Sequence, residues 1–256
     1  MTPVYAINLA RSAARRESAL AAYRTAGIDL KVHEAVDGAA QDMLAHPAYD
    51  RARRLEEYGE DLRSTEIACY LSHIGAMRRC LEEGAESAII VEDDVHPTAD
   101  FVAAVEALGK LPPEFSFVRL IGSRRRRMLP VGPLTPQVQL MWPTHGLCGA
   151  QGYYVTRPAM EKIVAAAEPI LVPVDIMLDR YWRLDMPIFA LSPFVVRDAE
   201  EAPSDIGGRP DAWAKRPRPW LRVKLRARKI AERWRRSAAN AACRGRLPHW
   251  RALLAR

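Results

Sequence analysis

The stretch 64-STEIACYLSHIGAMRRCLEEGAESAIIVEDDV-95 constrains the fold of this chain more than any other. Ile67, Tyr70, Leu71, Ile74, Met77 and Leu81 recur at helical spacing, which predicts an amphipathic helix. Ser64 or Thr65 can cap its start, and Gly84 can end it. The apolar run at 88–91 then reads as a short buried strand, leading straight into Glu92, Asp93 and Asp94. A strand interior cannot bury three unpaired carboxylates, so these acids belong where the strand stops, beside water or a cation.

The same alternation recurs along the chain. VYAINL at 4–9 reads as a strand, and RSAARRESALAAYRTAG as a helix that Ser12 can cap and Gly27 ends. LKVHEAV at 30–36 is a second strand, broken by Asp37-Gly38. Thr98 can cap a helix through Leu108, and FSFVRLIG at 115–122 is a further β-like run. GAQGYYVTRPAMEKIVAAA joins a strand to a helix with Pro158 in its first turn. PVDIMLDRYW reads as a short helix and PIFALSPFVV as a last strand pair. Helices alternating with short apolar strands predict an α/β domain with a mainly parallel central sheet flanked by helices. Segment 39–63 shows no clear periodicity and is expected to leave the core. Residues 128–156 carry no Asp, Glu, Lys or Arg. Pro130, Pro133, Pro136 and Pro143 nevertheless argue against a membrane span, because each lacks a backbone donor that lipid could not replace, and the stretch reads as loop plus strand.

At 256 residues and 49% hydrophobic, the chain can bury a substantial core, which excludes a disordered protein. Cys69, Cys80, Cys148 and Cys243 are too few and too scattered for a disulfide framework or paired zinc knuckles, which fits a reducing compartment. The start MTPVYAINLARSAARR lacks the basic opening and long apolar run of a signal peptide, so export by that route is not expected. The net charge of +7 is uneven. Residues 209–256 hold 16 Lys and Arg against Asp211 and Glu232, a net +14, which leaves −7 for residues 1–208. EEAPSDIGGRPD has the composition of a linker, so the expected division is a catalytic domain at 1–205 and a basic helical tail at 206–256.

In open α/β sheets, ligands bind at the carboxyl ends of parallel strands, where Glu92, Asp93 and Asp94 fall. Carboxylates grouped there suit Mg²⁺ or Mn²⁺ held by one or two side chains while substrate phosphates complete the shell. The bland alternative is that they cap the next helix or solvate a loop. Cys69, His73 and Cys80 share one helix face, but ligands stretched over three turns cannot converge on one ion, so they read as packing residues.

INLARSAARR at 7–16, EAVDG at 34–38, the stretch at 64–95, GYYVTRPAMEKIV and PVDIML together resemble glycosyltransferase family 25. That family comprises bacterial lipopolysaccharide and lipooligosaccharide sugar transferases, with collagen galactosyltransferases as relatives. The resemblance covers roughly residues 3–195 in order. It implies a GT-A-like (Rossmann-like) fold, a nucleotide-sugar donor, usually UDP-galactose, a divalent cation and inversion at the anomeric carbon. The EDD resembles the family's version of the DxD metal motif. Glu92 and Asp94 then occupy the alternating positions, with Asp94 the first choice as metal ligand and Asp93 facing the donor's ribose or sugar.

A metal can neutralise the departing nucleoside diphosphate, but a separate group must take the acceptor hydroxyl's proton. Asp175, at a helix start after an apolar, proline-bounded segment, is the candidate base, and Asp179, one turn later, is the reserve. An ordinary N-cap is the alternative reading of Asp175. For the donor, Asn8 ends the first strand and can pair with an amide edge of uracil, while Arg11 and Arg15 can fork onto phosphate. Arg16 reads as a solvated helix face. Asp37 can accept ribose hydroxyls and Gly38 permits close backbone approach, unless the two form a plain turn. The family's recurring SH at this place implies donor contact for Ser72 and His73, although a lone helical histidine is more often a core residue. The basic segment 123-SRRRRMLP-130 could meet an anionic acceptor, but a solvated loop is the commoner outcome.

Trp220, Val223, Ala227, Ile230 and Trp234 form one helical stripe, surrounded by Arg222, Lys224, Arg226, Arg228, Lys229, Arg233, Arg235 and Arg236. Such a helix can lie on an anionic bilayer or pack on the domain. It lacks the groove-reading motif or stacking platform expected of a nucleic-acid arm. The expectation is therefore a hexosyltransferase, cytoplasmic and peripheral on the inner face of the cytoplasmic membrane, using a UDP-sugar and a lipid-linked glycan. The alternatives are a metal-dependent nucleotidyltransferase or phosphohydrolase built on the EDD, or a non-catalytic nucleotide-sugar or nucleic-acid binder. Oligomeric state cannot be read from these patterns.

Overall fold

The computed structural model describes residues 2–122, 127–199 and 219–255, the last segment with side chains from 223 onward. The basic run at 123–126 and the linker and domain boundary expected near 200–210 lie outside the described residues. Three strands open the fold, β1 (Val4–Asn8), β2 (Leu30–Glu34) and β3 (Ser87–Glu92), with β1 paired in parallel to both others. Helix α1 (Ala13–Thr25) connects β1 to β2, and Gly27, at φ +76°, lets the chain turn back. Strand β1 is buried on both faces, which is why Val4 to Ile7 form an unbroken apolar run rather than an alternating one.

The full sheet adds β5 (Phe117–Arg119), β6 (Met128–Pro133), β7 (Gln139–Pro143), β8 (Gly152–Thr156) and β9 (Phe189–Ser192), in the order β2-β1-β3-β8-β5-β9-β7-β6. Six of these strands share a direction, but β8 runs antiparallel to both β3 and β5, and β7 to both β9 and β6. The sheet is therefore mixed rather than mainly parallel. The reason lies between β5 and β8, where the described residues form a β6–β7 hairpin instead of the crossover helix that a parallel neighbour requires. A separate antiparallel pair joins β4 (Val95–Pro97) to β10 (Val196–Asp198).

Helix α3 (Ser64–Glu82) covers the β1–β3 end of the sheet, burying Ile67, Tyr70, Ile74 and Met77 as the spacing predicts. Its cap is Arg63 rather than Ser64 or Thr65; the Glu66 carboxylate accepts from the Arg63 backbone N–H at 2.9 Å. Likewise Asp100, not Thr98, occupies the N-cap position of α4 (Phe101–Leu108). Segment 39–63 is more ordered than its composition suggests. It holds a 3₁₀ turn (Met43–Ala45) and helix α2 (Arg51–Tyr58), capped by Asp50 and ended by Gly59 at φ +79°. Helices α5 (Arg157–Ala165), α6 (Val174–Leu178) and α7 (Tyr181–Leu184) complete the domain before β9.

The C-terminal helix α8 (Pro219–Leu254) lies against α2 and α7 and ends in the core. Trp250 is fully buried, 4.9 Å from the ring of Phe189 and 6.3 Å from Trp142. Earlier along the helix, Lys224 and Arg228 pair with Glu56 and Glu57, Arg228 stacks 3.4 Å over Tyr58, and Glu232 meets Arg183 at 2.7 Å. Val223, Ile230 and Trp234 project on the opposite side, 67%, 54% and 71% exposed. Among the described residues, no helix is long and apolar enough to cross a membrane.

Candidate active site

Strands β2, β1 and β3 end together, because Ile7 is in register with Glu92 and Asn8 with Glu34. The next residues of each strand therefore gather at one edge of the sheet: Ala35 to Gly38, Leu9, and Asp93 with Asp94. The first half of α3 closes the side of this edge. Its Ser72 hydroxyl accepts from the Val36 N–H at 2.9 Å and donates to the Ala68 carbonyl at 2.7 Å, so α3 is pinned to the end of β2. Gly38 sits against the same helix; a Cβ there would lie 2.5 Å from the Ser64 carbonyl oxygen. Its smallness thus serves the approach of two backbone segments.

The result is a cleft with about 730 Å³ of empty space including its mouth, lined by Arg11, Arg15, Asp37, Gly38, Cys69, Ser72, His73, Glu92, Asp93 and Asp94. Nearly every donor- and metal-site residue expected from the sequence converges there. Asn8 lies just behind, 2% exposed, and donates to an Asp93 oxygen at 2.6 Å and to the Ser12 carbonyl at 3.1 Å.

The three acids are treated differently. Asp93 is compensated, since Arg15 pairs with its second oxygen. Burial is the main influence raising its pKa, and the Asn8 and Arg15 contacts oppose it. Asp94 is not compensated to the same degree. Arg15 approaches one of its oxygens at 3.4 Å, while the other, Oδ1, is buried with no hydrogen-bond partner. Burial, then the neighbouring charge of Glu92, pushes the Asp94 carboxyl up to about 7. Glu92 faces the His73 Nε2 at 3.3 Å, and His73 Nδ1 in turn meets the Tyr153 hydroxyl at 2.9 Å. An orphaned carboxylate oxygen beside a second carboxylate fits a hard divalent cation, with Asp94 and Glu92 as its protein ligands.

At the mouth, Arg11 and Asp37 pair with each other at 2.7 Å and both retain exposure, so each can exchange this partner for a ligand group. Asp175 and Asp179 lie off the cleft lining. The Asp175 carboxylate accepts from the Ile176 N–H at 2.8 Å and the Gly149 N–H at 3.3 Å. It stands close enough to the site that its charge, after burial and the charge of Glu92, raises the Cys69 thiol pKa. Asp179 is 9% exposed with both oxygens committed, one to Arg119 at 2.9 Å and one to the Cys148 N–H at 2.9 Å. Unlike Asp175, it is thus tied into an ion pair with a fully buried cation.

Arg119 escaped the sequence reading. It is fully buried, bonds Asp179 and the Gly149 carbonyl, and so holds the loop between β7 and β8. A cation inside the apolar run FVRLIG was the available signal, because buried arginine is rare unless paired. The same loop runs on to Gln151, whose carbonyl accepts the Glu92 N–H at 2.9 Å, joining the Arg119–Asp179 pair to the acids.

Residues 1–178 match the family model described as glycosyltransferase family 25 (LPS biosynthesis protein). The chain is 26% identical over 217 residues to procollagen galactosyltransferase 2 of Mus musculus and 27% identical over 219 residues to the Homo sapiens protein. Each alignment covers 75% of this chain and 34% of the relative. Procollagen galactosyltransferase 1 of Danio rerio is 26% identical over 185 residues, covering 67% of this chain and 30% of that protein. The chain thus spans about a third of the length of the curated relatives it matches.

Proposed function

The chain belongs to glycosyltransferase family 25 and is a glycosyltransferase, and we propose that it moves a hexose, galactose first, from a UDP-sugar to a glycan hydroxyl. We infer inversion at the anomeric carbon, dependence on Mn²⁺ or Mg²⁺, and a lipopolysaccharide- or lipooligosaccharide-type acceptor on a GT-A-like domain. The carrying observation is the pair Glu92 and Asp94, with the Asp94 Oδ1 buried and unpartnered, where parallel strands end in a cleft that also holds Arg11 and Arg15. The names of the relatives support galactose, and the description of the family model supports the lipopolysaccharide-type acceptor.

In this reading Asp94 and Glu92 hold the cation, which would neutralise the charge developing on the diphosphate as the bond from sugar C1 to phosphate oxygen breaks. Arg11 and Arg15 turn from Asp37 and Asp93 toward the phosphates, their fork geometry matching phosphate oxygens. Asn8 and Asp37 face the nucleoside, and Asp93 keeps Asn8 in place. As the acceptor oxygen bonds to C1 from the opposite face, its proton passes to the Asp175 carboxylate. Incubation with Mn²⁺ and a panel of nucleotide sugars tests this: acceptor-dependent UDP release is expected, greatest with UDP-galactose. Release of sugar 1-phosphate, or no donor binding at all, would overturn it. Asp175→Asn should keep donor affinity within about twofold while transfer falls about 10²–10⁴-fold, the usual contribution of a general base; retained transfer removes Asp175 from the role.

We place the enzyme at the inner face of an anionic membrane through α8. Val223, Ile230 and Trp234 point away from the domain, flanked by exposed Arg226, Lys229 and Arg233. Full-length protein should float with phosphatidylglycerol vesicles. Ile230→Glu with Trp234→Glu should weaken binding at least about tenfold, from two lost side-chain burials, with soluble-acceptor transfer unchanged. Equal flotation of both proteins would sink this placement.

A further inference from the structure

Cys80 does not join Cys69 and His73, since it is buried farther along α3, but Glu92 takes its place from the end of β3. The Cys69 Sγ, a His73 ring nitrogen and a Glu92 oxygen all lie within 4.8 Å of one another, and among the described residues theirs is the cluster able to hold an ion by three such groups. We propose that Cys69, His73 and Glu92 form a binding site for Zn²⁺, which shares Glu92 with the all-oxygen position at Asp94 and differs from it in its thiolate and imidazole ligands.

Four features support it. Cys69 and His73 are separated by one helical turn, so their side chains leave the same face of α3. His73 is oriented by the Tyr153 hydroxyl on Nδ1, which turns Nε2 toward Glu92; this is the outer-shell contact that metal-binding histidines usually make. Ligand atoms around one tetrahedral Zn²⁺ lie about 3.3–3.8 Å apart, given bonds of about 2.0–2.3 Å. His73 Nε2 and the Glu92 oxygen already stand at that separation, 3.3 Å, and the Cys69 Sγ, within 4.8 Å of both, needs at most about 1 Å of closure. Finally, Cys69, His73 and Glu92 all line the cleft, so the fourth position opens toward ligand, the arrangement of zinc sites that exchange a water or substrate. A thiolate with an imidazole selects Zn²⁺ or Co²⁺ over Mg²⁺ or Mn²⁺. The inference does not depend on which sugar is transferred or on whether transfer occurs.

The full chain, stripped of metal and titrated with Co²⁺, tests it. One equivalent should produce a thiolate-to-cobalt charge-transfer band that Zn²⁺ abolishes by displacement. Cys69→Ser should lose the band, and Asp94→Asn should retain it. Tyr153→Phe should keep the band while weakening Zn²⁺ affinity about 10–100-fold, the effect of removing an outer-shell partner. Should Cys69→Ser fail to fold, Glu92→Gln is the second probe, with Co²⁺ affinity expected to fall at least about tenfold, as for loss of an outer-shell contact or more. No band in the parent protein, a band surviving in Cys69→Ser, a band lost in Asp94→Asn, or unchanged affinity in Glu92→Gln would each overturn the site.

Discussion

Asp94→Asn is expected to reduce Mn²⁺-dependent transfer by about a thousandfold while making the metal-free protein more stable than its parent above pH 7. The loss of transfer follows from charge. An amide keeps the shape of the side chain but removes one of the two carboxylates available to hold a cation, and a metal's neutralisation of a leaving group is worth several kcal/mol, of which about 4 corresponds to that factor. The gain in stability follows from the same crowding. The Asp94 carboxyl titrates at about 7 in the folded protein against 3.8 for the ordinary side chain. Between those values the folded state holds a proton that the unfolded state has released. Stability therefore declines as pH rises through that window, and the full penalty is present above 7. Asparagine resembles the protonated form and escapes the penalty. Three pH units correspond to about 4 kcal/mol, and roughly half of that is expected because the carboxylate retains a solvent-facing edge. Urea unfolding of both proteins in chelator should show equal stability near pH 4 and an advantage of roughly 2 kcal/mol for the variant at pH 8. Unchanged transfer, or a variant less stable than the parent at pH 8, would remove Asp94 from the metal site.

What could be read in advance follows the range of each interaction. The α3 stripe, the β3 apolar run and the acids at its end are written within thirty consecutive residues, so periodicity and burial logic suffice for them. Asp93 is different. Its neighbours Asn8 and Arg15 lie 85 and 78 residues away, and only the parallel register of β1 with β3 makes it the compensated acid and leaves Asp94 less so. Gly38 is similar: the DG pair was visible, but the Ser64 carbonyl that excludes a side chain there belongs to another helix. The α2 helix carries ordinary start and stop residues in Asp50 and Gly59, but its few apolar residues leave no stripe by which to read it. The antiparallel placement of β8 was not, since a strand's own residues do not record its neighbours' direction. The same limit hid the Cys69–His73–Glu92 cluster, in which the third ligand comes from outside the helix that carries the first two.

Asp179→Ala is expected to cost about 3–5 kcal/mol, because it strands the fully buried Arg119 guanidinium without its carboxylate. For a chain of this size that is a fall of roughly 10 °C in Tm. The consequence for transfer is separate and comes through the loop before β8. Asp179 holds the Cys148 N–H, Arg119 holds the Gly149 carbonyl, and the Gly149 N–H is shared with Asp175. Cys148 and Gly149 both sit at positive φ, 55° and 71°, so the loop depends on outside partners to keep its course. A buried ion pair can often be exchanged for apolar residues without loss of stability. The double variant Arg119→Met with Asp179→Leu should therefore recover most of the Tm that Asp179→Ala loses. It cannot restore the two loop contacts, so transfer should stay depressed, with kcat falling more than KM changes. If thermal stability and kcat recover together, the pair serves the core alone. If stability returns and kcat does not, the ion pair acts on catalysis by positioning the loop that joins Asp175 to Glu92.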